Sequence, residues 1–272
     1  YAQITRKVMK ACPKLKLVIR YGVGVDTIDL EAAEEYGIWV GNVPDYGMNE
    51  VADHAITLAL AMTRKILMMN QYTKDGVWDY AKSIPIHRFQ MMTVGVIGLG
   101  RIGRNFAKKM HALGFTVIGF DPYYKANIET EQYVSAVSMD ELLKKSDIIS
   151  IHCPADGNQN LLNEKAFKKM KNTAVLVNVA RGGIVDETAL KKALEGGEIA
   201  GAALDCMVGE PVGADSPLFP LENLIVTPHM AWYSEEAQDE LKRKVAEEAV
   251  RFSNGEPIHY PVVRIPCGKE RK

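Results

Sequence analysis

The sequence has little cysteine and almost no net charge. Its four cysteines, Cys12, Cys153, Cys206 and Cys267, are scattered without the spacing of a disulfide framework or of a metal motif. They favour a reduced, intracellular protein and predict no metal site. The formal net charge of −1 removes any electrostatic case for nucleic acid or an anionic membrane as a partner.

The sequence also lacks long apolar runs. No run reaches the ~20 residues of a membrane span, and no secretory signal opens the chain. The cytoplasm is therefore the expected location. What is present is the composition of a globular protein, with 47% apolar and 25% charged residues. A chain of 272 residues suits one large domain or two ordinary ones.

Short β-rich runs alternate with helical runs through the middle of the chain. Strands are predicted at 93–97, 116–120, 147–151, 173–178, 200–205 and 223–227, and helices between them at 101–113, 138–146 and 186–197. Near-continuous apolar strands that alternate with amphipathic helices indicate a parallel sheet covered on both faces. The sequence therefore predicts an α/β fold built on a doubly wound parallel sheet, the Rossmann architecture.

The flanking segments have a different pattern. Strands are predicted at 16–20 and 38–41 with a helix at 29–37 between them, and long helices at 49–66 and from about 234 to 252. Asn49 is the predicted N-cap of the first long helix. Two strands are too few for an independent sheet, and the opening residues 1–16 have the pattern of a helix without a cap. Residues 258–272 show only a short apolar run.

A glycine fingerprint follows the strand at 93–97. Gly98, Gly100 and Gly103 are spaced as Gly-x-Gly-x-x-Gly at the start of a helix, the context that dinucleotide binding requires. Gly98 permits a tight turn, Gly100 lets the backbone approach a pyrophosphate, and Gly103 lets helix and strand pack closely. The amides of Arg101 and Ile102 would point at the phosphates.

Asp121 ends the next strand, about 20 residues further on, where an acid binds the adenosine ribose. A carboxylate there would repel a 2′-phosphate, so NAD is favoured over NADP. The competing interpretation is an ordinary glycine-rich turn followed by an exposed acid.

Three chemically useful residues lie just beyond successive strand ends. Arg181 follows the strand at 173–178, Glu210 follows that at 200–205, and His229 follows that at 223–227. Ligands of open parallel sheets bind outside the carboxyl ends of the strands, so these residues should share an edge with the cofactor. Singly, each has a plain structural interpretation: a salt-bridge arginine, a turn acid and a core histidine.

Together the three residues suit hydride transfer at a carbonyl group. Arg181 can bind a carboxylate through two parallel hydrogen bonds and polarise the adjacent carbonyl. His229 can protonate the developing alkoxide, and Glu210 can orient and stabilise its imidazolium. Asp205 ends its strand where it could reach the nicotinamide end of the cofactor.

The motifs VIGLGRIG (96–103), NVARGGIVDE (178–187), GAALDCMVGEP (201–211) and TPHMAW (227–232) resemble those of the D-isomer-specific 2-hydroxyacid dehydrogenase family. YGVGVDTID (21–29) and NVPDYGMNEVADHAI (42–56) are similar to its substrate-domain loop and first interdomain helix. The resemblance implies that Arg181 binds substrate and that Glu210 and His229 form the acid/base pair. It places the amides of Val23 and Gly24 on the substrate carboxylate. It places Ile102, Asp121, Cys153, Ala180 and Asp205 against the cofactor.

The same resemblance implies a domain organisation. An NAD-binding domain at 50–231 would be inserted into a smaller, flavodoxin-like α/β substrate domain made of 1–49 and 232–272. It further implies a homodimer formed through the cofactor domain and one more βαβ unit ahead of residue 1. The substrate would be a 2-keto acid and its D-2-hydroxy acid.

Within the family, PHMAWYSEEA with YGVGVD is most similar to the branch of C-terminal binding proteins and their bacterial relatives. Trp232 would reach the pocket for the substrate side chain and favours a medium apolar group. Because that branch includes corepressors, an NAD(H)-binding scaffold with vestigial activity is the alternative function. Glu210 stands where formate dehydrogenase carries glutamine. No cluster of basic residues for a phosphate is visible, so phosphoglycerate is the less favoured substrate.

Overall fold

The computed structural model describes residues 2–123 and 132–265. Its helices are α1 (Arg6–Ala11), α2 (Leu30–Glu35), α3 (Met48–Thr63), α4 (Ile66–Lys74), α5 (Arg101–Ala112), α6 (Met139–Lys145), α7 (Glu164–Phe167), α8 (Glu187–Glu195) and α9 (Glu235–Ser253). Its strands are β1 (Leu17–Ile19), β2 (Trp39–Gly41), β3 (Thr93–Ile97), β4 (Thr116–Phe120), β5 (Ser135–Ala136), β6 (Ile148–Ile151), β7 (Val175–Asn178), β8 (Gly201–Leu204), β9 (Leu224–Val226) and β10 (Pro261–Val263).

The chain divides into two compact units. One unit consists of residues 1–47 and 233–272, and the other of residues 48–232. The boundaries predicted from the sequence were 49/50 and 231/232. Among the described residues, no helix is long and apolar enough to cross a membrane.

The larger unit is built on a seven-stranded parallel sheet with the strand order β5-β4-β3-β6-β7-β8-β9. The order runs outward from β3 in both directions, so the sheet has a switch point between β3 and β6. This is the doubly wound arrangement, which binds ligands outside the strand ends at such a point. The predicted fold class is confirmed.

Apolar residues cover both faces of this sheet. On one face α3 and α5 contribute Ala55 and Phe106 to a core with Val96. On the other face Leu142 and Leu190, from α6 and α8, pack with the buried residues of the central strands. Central strands such as β6 and β7 are buried along their whole length, which explains why their apolar residues run nearly continuously rather than at alternate positions.

The smaller unit contains a three-stranded sheet with the order β1-β2-β10. β1 and β2 pair in parallel, and β10 pairs with β2 in the antiparallel direction. The third strand comes from the segment that showed only a short apolar run, and it supplies the strand that the first 47 residues lack. Met9, Ile38 and Val263 share the core of this unit.

Three predictions about helix ends are wrong. α1 does have an N-cap, since Thr5 accepts the N–H of Val8. α3 begins at Met48, so Asn49 lies inside the helix, where its side-chain oxygen accepts a hydrogen bond from Asn105. The helix predicted through residue 66 ends at Thr63 because Lys65 adopts a left-handed φ of 55°. Cys267 lies outside the described residues.

Candidate active site

The glycine loop joins β3 to α5 at the switch point of the sheet. Gly98 has a φ of 92°, and a Cβ there would lie 2.7 Å from the backbone nitrogen of Cys153. A Cβ at Gly103 would collide with the carbonyl oxygen of Gly98, whereas Gly100 faces open space. Among the described residues no side chain caps α5 at its N-cap, Gly100, so the first N–H groups of the helix can bind an anion. These features fit the pyrophosphate of a dinucleotide.

Asp121 and Cys153 flank the glycine loop. The Asp121 carboxylate accepts the backbone N–H of Leu99 and that of Tyr123, each at 2.8 Å, which fixes the acid beside the loop. Each oxygen keeps a further lone pair for a ribose hydroxyl. Burial raises the pKa of Cys153 to about 11, and the charge of Asp121 adds to the shift, so this residue is a neutral thiol at the end of β6.

The loop after β7 carries Arg181. The buried Asn178 shapes this loop, because its amide donates to the carbonyl of Arg181 at 2.8 Å and accepts the N–H of Ala180 at 3.1 Å. A Cβ at Gly182 would collide with the carbonyl group of Met207, so this loop lies directly against the loop after β8. The arginine is thereby held beside the segment that carries Glu210.

Glu210 and His229 form a direct pair. The Nδ1 atom of His229 lies 2.6 Å from Oε2 of Glu210, and Oε1 of the same carboxylate accepts the N–H of Met207 at 2.8 Å. The two side chains keep 30% and 17% of their surface exposed. Because Glu210 occupies Nδ1, the Nε2 atom is the one left to exchange a proton with a ligand.

The buried carboxylate of Asp205 holds the connection that carries His229. Its Oδ1 accepts the Thr227 hydroxyl at 2.6 Å and the Met230 N–H at 2.9 Å, and its Oδ2 accepts the Ala231 N–H at 2.9 Å. The backbone N–H of His229 donates to the Asp205 carbonyl at 2.8 Å. This network fixes His229 in a left-handed conformation with a φ of 54°. The predicted contact of Asp205 with a nicotinamide stays a prediction.

These features stand at the carboxyl ends of β3, β4, β6, β7, β8 and β9 of one sheet. A model of the D-isomer specific 2-hydroxyacid dehydrogenase family, NAD binding domain, matches residues 56–231. The chain belongs to this family. Of the expectations drawn from the resemblance, the family itself is confirmed. The closer likeness to C-terminal binding proteins stays a prediction.

The chain is similar to several dehydrogenases and reductases. D-3-phosphoglycerate dehydrogenase of Archaeoglobus fulgidus is 40% identical over 96% of this chain and 49% of its own length. Glyoxylate reductase of Korarchaeum cryptofilum is 36% identical over 93% of this chain and 77% of its own. The D-lactate dehydrogenase of Aquifex aeolicus, solved with NAD and lactic acid, has a TM-score of 0.91 at 29% identity, covering 98% and 85% of the two chains.

The chain spans about half the length of the phosphoglycerate dehydrogenase that it matches, 49% of it. The NAD-binding domain model and the NAD complex of the lactate dehydrogenase agree with the prediction of NAD as the cofactor.

Four residues close to the candidate site were not among the site residues predicted from the sequence. His54, on α3, lies 3.0 Å through Nε2 from the Thr227 hydroxyl and 3.5 Å from the Asp205 carboxylate. Glu187 accepts the N–H of Val208 at 2.6 Å and so helps to hold the loop of Glu210. Glu187 is the first residue of α8 and the last of the motif NVARGGIVDE, but the sequence did not indicate which group it contacts.

The other two missed residues are His152 and Cys206. His152 is partly buried behind Gly103, against the ring of Phe106, and its Nε2 lies 2.9 Å from the Ser150 hydroxyl. Burial lowers its pKa to about 3, so it is neutral. Cys206 directly follows Asp205 and is buried near Glu210. No spacing in the sequence singles out either residue.

The remaining predicted substrate contacts, Val23, Gly24 and Trp232, lie outside helices and strands, and their roles stay predictions. In the smaller unit, Val23 and Gly24 follow β1, and among the described residues no acceptor takes their backbone N–H groups. Arg20 directly follows the same strand and keeps a buried Nε atom without a hydrogen-bond partner in the described part of the chain. In the larger unit, Trp232 is partly buried in the turn that follows His229.

Proposed function

We propose that this protein interconverts a 2-keto acid and the corresponding D-2-hydroxy acid with NAD(H). The observation that carries the proposal is the 2.6 Å pair of His229 and Glu210 at the strand-end edge that also bears the glycine loop. A histidine paired with a carboxylate is a positioned proton donor, and its place beside a dinucleotide loop suits carbonyl reduction. The names of the relatives support the same class of reaction.

Three side chains would have separate roles in the proposed reaction. The guanidinium of Arg181 would bind the carboxylate of the keto acid and polarise its carbonyl. The Nε2 atom of His229 would give its proton to the carbonyl oxygen in reduction and take it back in oxidation. Glu210 would keep the proton-bearing tautomer in place and stabilise the imidazolium. When bound at Gly98–Gly103 and Asp121, NADH supplies the hydride.

The first experiment replaces the proton donor. His229→Asn should lower the turnover of keto acid reduction by about 10²- to 10⁴-fold, because positioned proton transfer contributes that range. The affinity for NADH, measured by its fluorescence, should stay within about twofold. His111→Asn is the matched control, since His111 is exposed on α5. Undiminished turnover in the His229 variant would remove this histidine from the mechanism. NADH binding without turnover on any keto acid in the wild type would favour the scaffold function.

The first candidate substrate carries a medium apolar side chain, which the indole of Trp232 favours. A phosphorylated hydroxy acid is the second candidate, supported by the name of the Archaeoglobus relative and by Arg20. The unpartnered, buried Nε of Arg20 beside the loop of Val23 and Gly24 suits an anionic group. Arg20→Gln should raise KM for D-3-phosphoglycerate while leaving KM for an apolar hydroxy acid nearly unchanged. Equal effects on both would speak against the phosphorylated substrate.

We further propose a homodimer formed through the larger unit, in the cytoplasm. The segment 66–91 exposes large apolar side chains, led by Trp78 with 89% of its surface accessible. The others are Ile66, Leu67, Val77, Tyr80, Ile84 and Met91. α4, in this segment, contains no buried residue. Apolar surface of this extent is typical of a protein–protein contact, and the resemblance supplies a second copy as the occupant.

A further inference from the structure

Cys206 has no part in the proposed reaction, yet it lies at the centre of the acid/base site. Its Sγ atom, a carboxylate oxygen of Glu210 and a ring nitrogen of His229 all lie within 4.8 Å of one another. The thiol comes from the residue after Asp205 and is only 2% exposed, whereas the histidine and the acid reach solvent. The arrangement is a buried sulfur beneath two partly exposed ligand groups.

A thiolate, an imidazole and a carboxylate are the three ligand types that Zn²⁺ prefers in proteins. With metal–ligand distances of about 2.0–2.3 Å, two ligands of a tetrahedral ion lie about 3.3–3.6 Å apart. The Nδ1 atom of His229 and the Oε2 atom of Glu210 now lie 2.6 Å apart, so this distance would increase by roughly 1 Å to admit the ion. The fourth position would face solvent, from which the ion enters.

Cys206 decides which cations can bind. Its sulfur is a soft ligand, whereas Mg²⁺ and Ca²⁺ prefer oxygen ligands. A site that contains this sulfur therefore excludes Mg²⁺ and Ca²⁺ and favours Zn²⁺.

We propose that Cys206, Glu210 and His229 bind Zn²⁺ or another thiophilic divalent cation, and that the bound ion reversibly inhibits the enzyme. The ion would take the Nδ1 atom of His229 and the carboxylate that now pair with each other. His229 then loses the carboxylate that stabilises its imidazolium, and a coordinated imidazole is a poor carrier of the catalytic proton. The binding half of this inference stands on geometry alone, whereas the inhibition half rests on the proposed function.

Cobalt(II) titration of the full chain tests the binding half. The wild type should show a thiolate-to-cobalt charge-transfer band that one equivalent of Zn²⁺ abolishes. Cys12→Ser, which changes an exposed cysteine of the other unit, should behave as the wild type. Cys206→Ser and Cys206→Ala should lose the band and bind Zn²⁺ at least about 10- to 100-fold more weakly. An absent band in the wild type, or an unchanged Zn²⁺ affinity in both Cys206 variants, would overturn the site.

Keto acid reduction measured with and without Zn²⁺ tests the inhibition half. The Zn²⁺ concentration that fills the cobalt-defined site should abolish turnover, a chelator should restore it, and Mg²⁺ should have no effect. In the Cys206 variants the inhibiting concentration should rise by the same factor as the dissociation constant. Full turnover at saturating Zn²⁺ would refute inhibition. A cobalt band in a chain that turns over no keto acid even without metal would instead refute the proposed function and leave the site standing.

Discussion

The side-chain carboxylate of Asp205 accepts the backbone N–H of Ala231 at 2.9 Å, although 26 residues separate them in the chain. This bond ties the end of β8 to the connection after β9. Asp205 is 1% exposed and also accepts the Thr227 hydroxyl and the Met230 N–H, so three donors from one short segment stabilise its carboxylate. The position of His229 therefore depends on a buried acid that need not touch a substrate.

Asp205→Asn should disturb both stability and catalysis. The amide would present N–H groups to backbone N–H donors and leave buried groups unsatisfied, which costs about 1–3 kcal/mol of unfolding free energy. Turnover should fall beyond what the lost stability explains, because the segment around His229 is no longer fixed. Urea unfolding and single-turnover kinetics provide the two measurements. Asp215→Asn, at an exposed acid in the same region, is the control and should match the wild type.

Glu210→Gln should preserve the shape of the pair and remove its charge. Reduction needs the protonated imidazole, and without the carboxylate that form is less stable. Turnover should drop by about 10²-fold, and the pH above which reduction fades should move downward. A pH–rate profile measured under conditions where chemistry limits the rate checks this. Glu222→Gln, at an exposed position, provides the comparison, and an unmoved profile in the Glu210 variant would contradict the assigned role.

His152 should make the folded protein sensitive to acid. Burial lowers its pKa from 6.5 to about 3, so between these values the unfolded chain binds a proton that the folded chain does not. The free energy of unfolding should therefore fall by about 1.4 kcal/mol for each pH unit below 6.5 on this account.

In His152→Asn the contribution of His152 to the slope of unfolding free energy against pH should vanish. Urea unfolding at several pH values measures this slope. The variant is expected to be less stable at neutral pH, so the slope and not the stability is the test. An equally steep slope in the variant would show that other groups cause it. His111→Asn, at an exposed histidine, should leave the slope unchanged.

Trp78→Ser should weaken the proposed dimer. A large aromatic residue at the centre of an interface contributes about 2 kcal/mol or more, so the dissociation constant should rise by about 30-fold or more. Sedimentation velocity over a dilution series measures it. Val250→Ser, at a 58% exposed apolar residue of α9 in the other unit, is the matched control. A wild type that sediments as a monomer at all concentrations would exclude the dimer itself.

The larger unit was largely predictable because its signals are local. Its strands are nearly continuous apolar runs, and the rule that ligands bind at carboxyl strand ends selects Arg181, Glu210 and His229 from the sequence alone. The pairing of Glu210 with His229 spans 19 residues between neighbouring strands, so topology alone suffices to bring them together.

The unpredicted features depend on distant contacts or on conformations that the sequence does not mark. His54 meets Thr227 across 173 residues, and only the packing of α3 on the sheet joins them. β10 is a three-residue strand that forms by pairing with the edge of β2. The break at Lys65 places a non-glycine residue in a left-handed conformation, which residue type alone does not indicate.

The late position of β10 has a consequence for how the chain is made. Residues 2–47 are translated before the larger unit, but β2 does not gain β10 as a neighbour until residues 261–263 have been translated. The larger unit, by contrast, is fully synthesised once residue 232 has appeared. Because domains generally fold as units during synthesis, we expect the larger unit to fold before the pairing of β10 with β2 completes the sheet of the smaller unit. β1 and β2 thus wait for a partner strand that is translated only after the whole of the larger unit.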